Sequence, residues 1–121
     1  MENSEYQRLA QRTAAPDLEL NQALTIGGLG IAGEAGEVAD HIKKIVFHQH
    51  DLDKAKLAEE MGDVLWYIAL LCNALDISLG DVMAANIRKL EARYPAGFNS
   101  ERSRNRAEYA EYQASDAERL E

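Results

Sequence analysis

The residues of this sequence best placed to do chemistry are two pairs of carboxylates. Glu34 and Glu37 stand three residues apart, and so do Glu60 and Asp63. On a helix, a spacing of three puts both members of a pair on one face. Each pair has the same relation to its apolar neighbours: Glu34 and Glu37 immediately precede Ala35 and Val38, and Glu60 and Asp63 immediately precede Met61 and Val64. Both pairs therefore lie beside an apolar stripe rather than on the solvent side. Four partly buried carboxylates at one place either take up protons, with raised pKa values, or bind a cation. Oxygen ligands of this kind suit hard divalent ions such as Mg2+ or Mn2+. A single E-x-x-E reads better as a solvated helix face, so the metal reading depends on the two pairs meeting. A di-iron bundle would need Glu-x-x-His, which is absent. Of the neighbouring acids, Glu59 reads as solvated, and Asp40 either extends the set or pairs with Lys43 or Lys44.

The elements that must position these acids are helices; no convincing strand is present. The pattern predicts a first helix over about Ser4 to Ala14, closed by Pro16, which disfavours helix at the residue before it. A second runs from about Leu18 to Phe47, with Ala35, Val38, Ile42 and Ile45 as its apolar seam. The third opens at Asp51 or Asp53, either of which can cap it, and carries Leu57, Met61, Val64, Ile68, Leu71 and Leu75 at alternating spacings of four and three. The fourth starts at Ser78, with Asp81 three residues on as a capping-box variant, and stops at Pro95. The short Gln49–Leu52 connection makes helices two and three antiparallel neighbours. At ~1.5 Å per residue, Glu37 and Asp63 both lie ~15 Å from that turn, so the hairpin brings the pairs level. Gly27, Gly28, Gly30, Gly33 and Gly36 fall inside the second helix, where each costs ~1 kcal/mol relative to alanine. Close helix packing, close approach of a ligand, or a break near Gly27–Gly28 would each account for them.

A metal cluster needs a substrate whose charge it neutralises, and phosphate is the usual one. The fourth helix offers Asn86, Lys89 and Arg93 on one face, either as a solvated polar face or as polyphosphate contacts. The segments Gly33–Asp40, Glu59–Tyr67 and Asn86–Leu90 resemble the MazG-type all-α nucleoside triphosphate pyrophosphohydrolases, whose pattern is E-x-x-E, a variable gap, E-x-x-D, then a helix bearing lysine and arginine. The resemblance spans about Leu18 to Phe98. Arg93–Phe98 with Asn105-Arg106 is similar to short phage and bacterial variants. Some relatives carry a glutamate just before the first pair, where this chain has Gly33.

The resemblance implies an all-α, four-helix MazG-type bundle over residues 1–95, a C-terminal arm over 96–121, and a homodimer or dimer of dimers. It implies hydrolysis of a (deoxy)nucleoside triphosphate to the monophosphate and pyrophosphate with Mg2+ or Mn2+, two or more ions per site. Glu34, Glu37, Glu60 and Asp63 would hold the metal. Glu34 or Glu37 would orient or deprotonate the attacking water. Asn86, Lys89 and Arg93 would contact the phosphates, and Lys89 and Arg93 would hold the departing pyrophosphate. The similarity to phage members favours a purine deoxynucleotide, dGTP or dATP. Tyr67 either packs or contacts sugar or base, while Trp66 reads as core. His41 either supports a metal-ligating carboxylate from behind or is a surface residue, and His48 and His50 are loop residues.

Composition sets the outer bounds. The 121 residues make one domain's worth of chain, with 46% hydrophobic and 28% charged residues. Thirteen Lys+Arg against 21 Asp+Glu give a net charge of −8, which argues against coating a nucleic-acid polymer. The polar start has no signal peptide, and Val64–Leu71 is too short to span a bilayer, so a cytoplasmic location is expected, that of the host if phage-encoded. A single cysteine, Cys72, forms no internal disulfide. Three arginines, Arg102, Arg104 and Arg106, form either a solvated tail or an arm that meets nucleotide phosphate across a subunit. The apolar positions on both sides of helices two and three exceed what one copy covers, so an oligomer is expected. The competing reading is a non-enzymatic helical oligomer acting as an interaction module, which would not need carboxylates in register.

Overall fold

The computed structural model describes residues 1–105. Five helices are present and, among the described residues, no strand: α1 (Asn3–Gln11), α2 (Leu20–His48), α3 (Lys54–Ala74), α4 (Leu79–Arg93) and α5 (Ser100–Arg104). The fold is all-α, as the periodicity requires. The chain divides into two compact units, Met1–Asp76 and Ile77–Glu121.

In the first unit α2 and α3 form the expected antiparallel hairpin. Gln49 caps α2 in the left-handed region (φ 58°), and the His50 amide donates back to the Lys44 carbonyl at 3.2 Å. Asp53 is the N-cap of α3; its Oδ1 accepts from the Lys56 amide at 2.9 Å. The helices approach closely at two positions where α2 has no side chain. A Cβ on Gly27 would stand 2.3 Å from Leu71 Cδ2, and one on Gly30 would stand 2.2 Å from the Tyr67 ring. Two of the five glycines thus serve close packing, and α2 runs unbroken through them. Gly28, Gly33 and Gly36 have open space where a Cβ would be.

Helix α1 packs on α3 through polar clasps. The Gln7 side-chain amide donates to Asn73 Oδ1 at 2.9 Å, and Asn73 Nδ2 donates to the Gln7 carbonyl at 3.2 Å. The Trp66 indole donates to Thr13 Oγ1 at 2.8 Å. Helix α1 ends three residues before the expected Ala14. The Arg12 and Thr13 amides bond back to Leu9 and Ala10, three residues behind them, and the Thr13 hydroxyl donates to the Ala10 carbonyl, so the last turn tightens and closes.

The apolar seams need correcting. The buried apolar residues are Ala10, Ala23, Ala69, Leu70, Cys72 and Leu79. By contrast Ile42, Met61 and Leu75, all assigned to seams, are 46%, 57% and 48% exposed. Ala35, Val38, Met61, Val64, Leu65 and Ile68 line an open apolar groove of about 480 Å3 along the hairpin. Periodicity reports that a helix face is apolar; it does not report which surface covers it.

In the second unit Ser78 caps α4, its hydroxyl accepting from the Asp81 amide at 3.3 Å, and the helix stops before Pro95 as expected. Asn99 Oδ1 caps the one-turn α5 by accepting from the Glu101 and Arg102 amides. Residues 106–121, and with them Arg106 and most of the expected arm, lie outside the described residues. Among the described residues no single helix is long and apolar enough to cross a membrane.

Candidate active site

The hairpin brings three of the four carboxylates together. Glu34 from α2 and Glu60 and Asp63 from α3 each offer an oxygen, and these oxygens all lie within 4.8 Å of one another. The register follows from the glycine contacts. With Gly27 at Leu71 and Gly30 at Tyr67, one further turn along α2 sets Glu34 against Asp63. The three differ in environment: Glu60 is buried (7% exposed), Glu34 is intermediate, and Asp63 is open to solvent. Glu37, one turn beyond Glu34, is exposed and not among the three. Its charge acts instead on Lys44.

An all-oxygen set with one member buried fits a hard divalent cation, because a carboxylate held out of water needs a positive partner. In this structure Lys56 supplies one. Its Nζ lies 2.8 Å from Glu60 Oε1 and 3.2 Å from Glu59 Oε2, and these two bonds, Glu60's first, raise its pKa above the usual lysine value. Lys56 is not signalled by the acid pattern, although it lies at helical spacing four residues before Glu60; Glu59, expected to be solvated, is 63% exposed and shares the Lys56 ammonium. Tyr6 of α1 is a second addition. Burial, and to a smaller extent the Asp63 charge, raise its pKa, which places α1 beside the acids. No sequence spacing signals a contact across 57 positions.

Asp40 resolves towards the ion-pair reading. It pairs with Lys43 through Oδ1 and with Lys44 through Oδ2 at 2.6 Å, and these bonds pull its carboxyl down to about 2. Tyr67 lies over the Gly30 backbone and meets Trp66 edge-on, centroids 5.0 Å apart, which favours packing for both rings. His41 is half-buried, with Nε2 shielded from water and without a hydrogen-bond partner. His48 and His50 are exposed at the turn.

The cationic residues belong to the second unit. Asn86 is exposed and Lys89 intermediate on α4. Arg93 Nη2 donates to the Ser103 carbonyl at 3.0 Å and the guanidinium lies 5.1 Å from the Tyr94 ring centroid, so it ties α4 to α5. Arg102 and Arg104 are on α5.

A helical hairpin that gathers carboxylates from two adjacent helices defines a candidate site for a divalent cation. Comparison with known proteins gives the family. The MazG nucleotide pyrophosphohydrolase domain matches residues 24–98. Gene 37 protein of Mycobacterium phage L5 is 37% identical over 100 residues, covering 76% of this chain and 88% of that protein. Uncharacterized protein YvdC of Bacillus subtilis (strain 168) is 37% identical over 70 residues, 50% of this chain and 66% of its own length. No solved structure matches. The chain belongs to the MazG family and is a nucleoside triphosphate pyrophosphohydrolase. That outcome sets aside the non-enzymatic reading.

Proposed function

We propose that this chain hydrolyses a deoxynucleoside triphosphate, a purine one such as dGTP or dATP, to the monophosphate and pyrophosphate, with Mg2+ or Mn2+ held by Glu34, Glu60 and Asp63. The convergence of these three carboxylates across two helices is the observation that carries the reading. When bound, a divalent ion offsets charge on phosphate oxygens and lowers the pKa of a bound water. The protein's own groups do the rest. Glu60, buried, keeps its place without solvent. Glu34 or the exposed Glu37 accepts the proton of the attacking water; Glu37, being outside the trio, is the freer base and completes the ligand set only by turning towards it. Asn86, Lys89 and Arg93 bind the phosphates, and Lys89 and Arg93 hold the departing pyrophosphate, Arg93 after release from Ser103.

Base recognition is proposed for a cavity of about 620 Å3 bordered by Gln11, Asp17, Leu20, Leu70 and Asn73. Asn73 lies ten residues beyond Asp63 on α3, ~15 Å along the helix, a separation suited to a base whose phosphates reach the acids. Gln11 and Asp17 offer donor and acceptor groups to a base edge, and sites built on such groups discriminate strongly. Homo-oligomerisation, as a dimer or dimer of dimers, is proposed from the open apolar groove on the α2–α3 hairpin. Residues 96–121 are proposed as an arm separate from the catalytic residues 1–95. The deciding experiment is a panel of ribo- and deoxynucleoside triphosphates with Mg2+ or Mn2+, scored for pyrophosphate against orthophosphate. Pyrophosphate from purine deoxynucleotides is expected; orthophosphate, or turnover without a divalent ion, overturns the reading.

A further inference from the structure

Lys56 breaks a local rule. It sits in the first turn of α3, where the helix dipole disfavours a cation, and that turn holds no acidic residue. Its backbone is fixed there, because its amide donates to the capping Asp53 carboxylate at 2.9 Å. Its side chain reaches up the helix to two carboxylates of opposite character: Glu60 Oε1 at 2.8 Å, with the Glu60 side chain 10% exposed, and Glu59 Oε2 at 3.2 Å, with the Glu59 side chain 63% exposed. One partner belongs to the acid trio and the other stands outside it in water.

We propose that Lys56 is a displaceable counter-ion of the metal site: its ammonium holds the place of the divalent ion at Glu60 and moves wholly onto Glu59 when the ion binds. The inference rests on the metal reading of Glu34, Glu60 and Asp63. An ammonium on a carboxylate that also ligates a divalent ion is a like charge at close range, so ion and lysine compete. Each alone can offset the charge of Glu60, which is buried and paired with Lys56. Glu59 makes the exchange cheap. It lies three residues from Lys56 and already touches the ammonium, so the lysine can leave Glu60 without losing an ion pair. Glu59 thus acts on the site through the lysine.

The test is Mn2+ binding to the full-length protein without nucleotide, followed by titration calorimetry and by the loss of free-Mn2+ paramagnetic resonance. Wild type, Lys56→Met, Lys56→Gln, Glu59→Gln, the Lys56→Met/Glu59→Gln double variant and Glu60→Gln are compared. Both Lys56 variants are expected to bind Mn2+ about tenfold more tightly and to melt lower without metal. Glu59→Gln alone is expected to bind several-fold more weakly, because the lysine then stays on Glu60. In the Lys56→Met background that loss should vanish, since Glu59 acts only as the lysine's alternative partner. Unchanged or weaker binding in both Lys56 variants overturns the proposal, as does an equal effect of Glu59→Gln in both backgrounds. Glu60→Gln separates the two readings: if it binds Mn2+ as well as wild type, the metal assignment itself fails.

Discussion

Among the described residues Glu60 is the charged side chain most withdrawn from water, and it is ion-paired with Lys56. A carboxylate in that position is a stronger functional signal than any of the exposed acids, because burial without a cation would be costly. Altering a partner of a metal ligand typically costs 10–100-fold, so a ligand itself should cost more. Glu60→Gln or Asp63→Asn is therefore expected to lower kcat/KM by more than about a hundredfold while circular dichroism shows an unchanged helix content; activity within a few-fold of wild type would remove the residue from the site. Asp40 gives a different pH signature. Its carboxyl is held down to about 2 by Lys43 and Lys44, below the ordinary aspartate value. A depressed folded pKa means that the contribution is present above pH ~4 and is lost as the pH falls towards 2. Asp40→Asn should thus melt slightly below wild type at pH 7 and level with it at pH 2, the small size reflecting an exposed pair. A gap that persists at pH 2 would trace to packing instead.

At the scale of elements, much was legible because helix boundaries obey local chemistry. Asp53 and Ser78 cap as their types demand, Pro95 follows the end of α4, and the Gln49 turn closes the hairpin. The approximate level of the acid pairs followed from helix rise alone. Which acids meet was not legible, because that depends on the rotation of each helix about its axis. The glycines set it: α3 presses Leu71 and Tyr67 against Gly27 and Gly30, which turns Glu34 inward and leaves Glu37 outside. Substitution at these glycines should consequently split by position. Gly30→Ala drives a Cβ into the Tyr67 ring, itself braced by Trp66, and is expected to destabilise by about 1–3 kcal/mol. Gly28→Ala meets nothing within 4 Å and is expected to stabilise by up to ~1 kcal/mol through helix propensity. Urea denaturation of the two variants checks the contrast; equal effects would mean that Gly30 is not a close-packing site.

At the scale of the whole molecule, several large apolar side chains among the described residues stay open to solvent. Leu29, Val46, Phe47, Met61 and Phe98 are all more than half exposed, and the Val38–Met61–Leu65 groove lies open beside the acids. A second copy of the chain laid on this groove would cover it and enclose the neighbouring site, raising the strength of every charge contact there. Leu65 is a clean probe, since it lines the groove, is 41% exposed, and carries no role in the acid trio. Leu65→Glu should leave the helices intact and convert the assembly to monomers at micromolar concentration in sedimentation velocity, because it would bury an unpaired carboxylate in the interface. If enclosure by the second copy completes the site, activity should fall with the assembly and recover partly at high protein concentration. Wild-type protein that sediments as a monomer would refute the oligomer, while a Leu65→Glu variant that stays assembled would move the interface to another face.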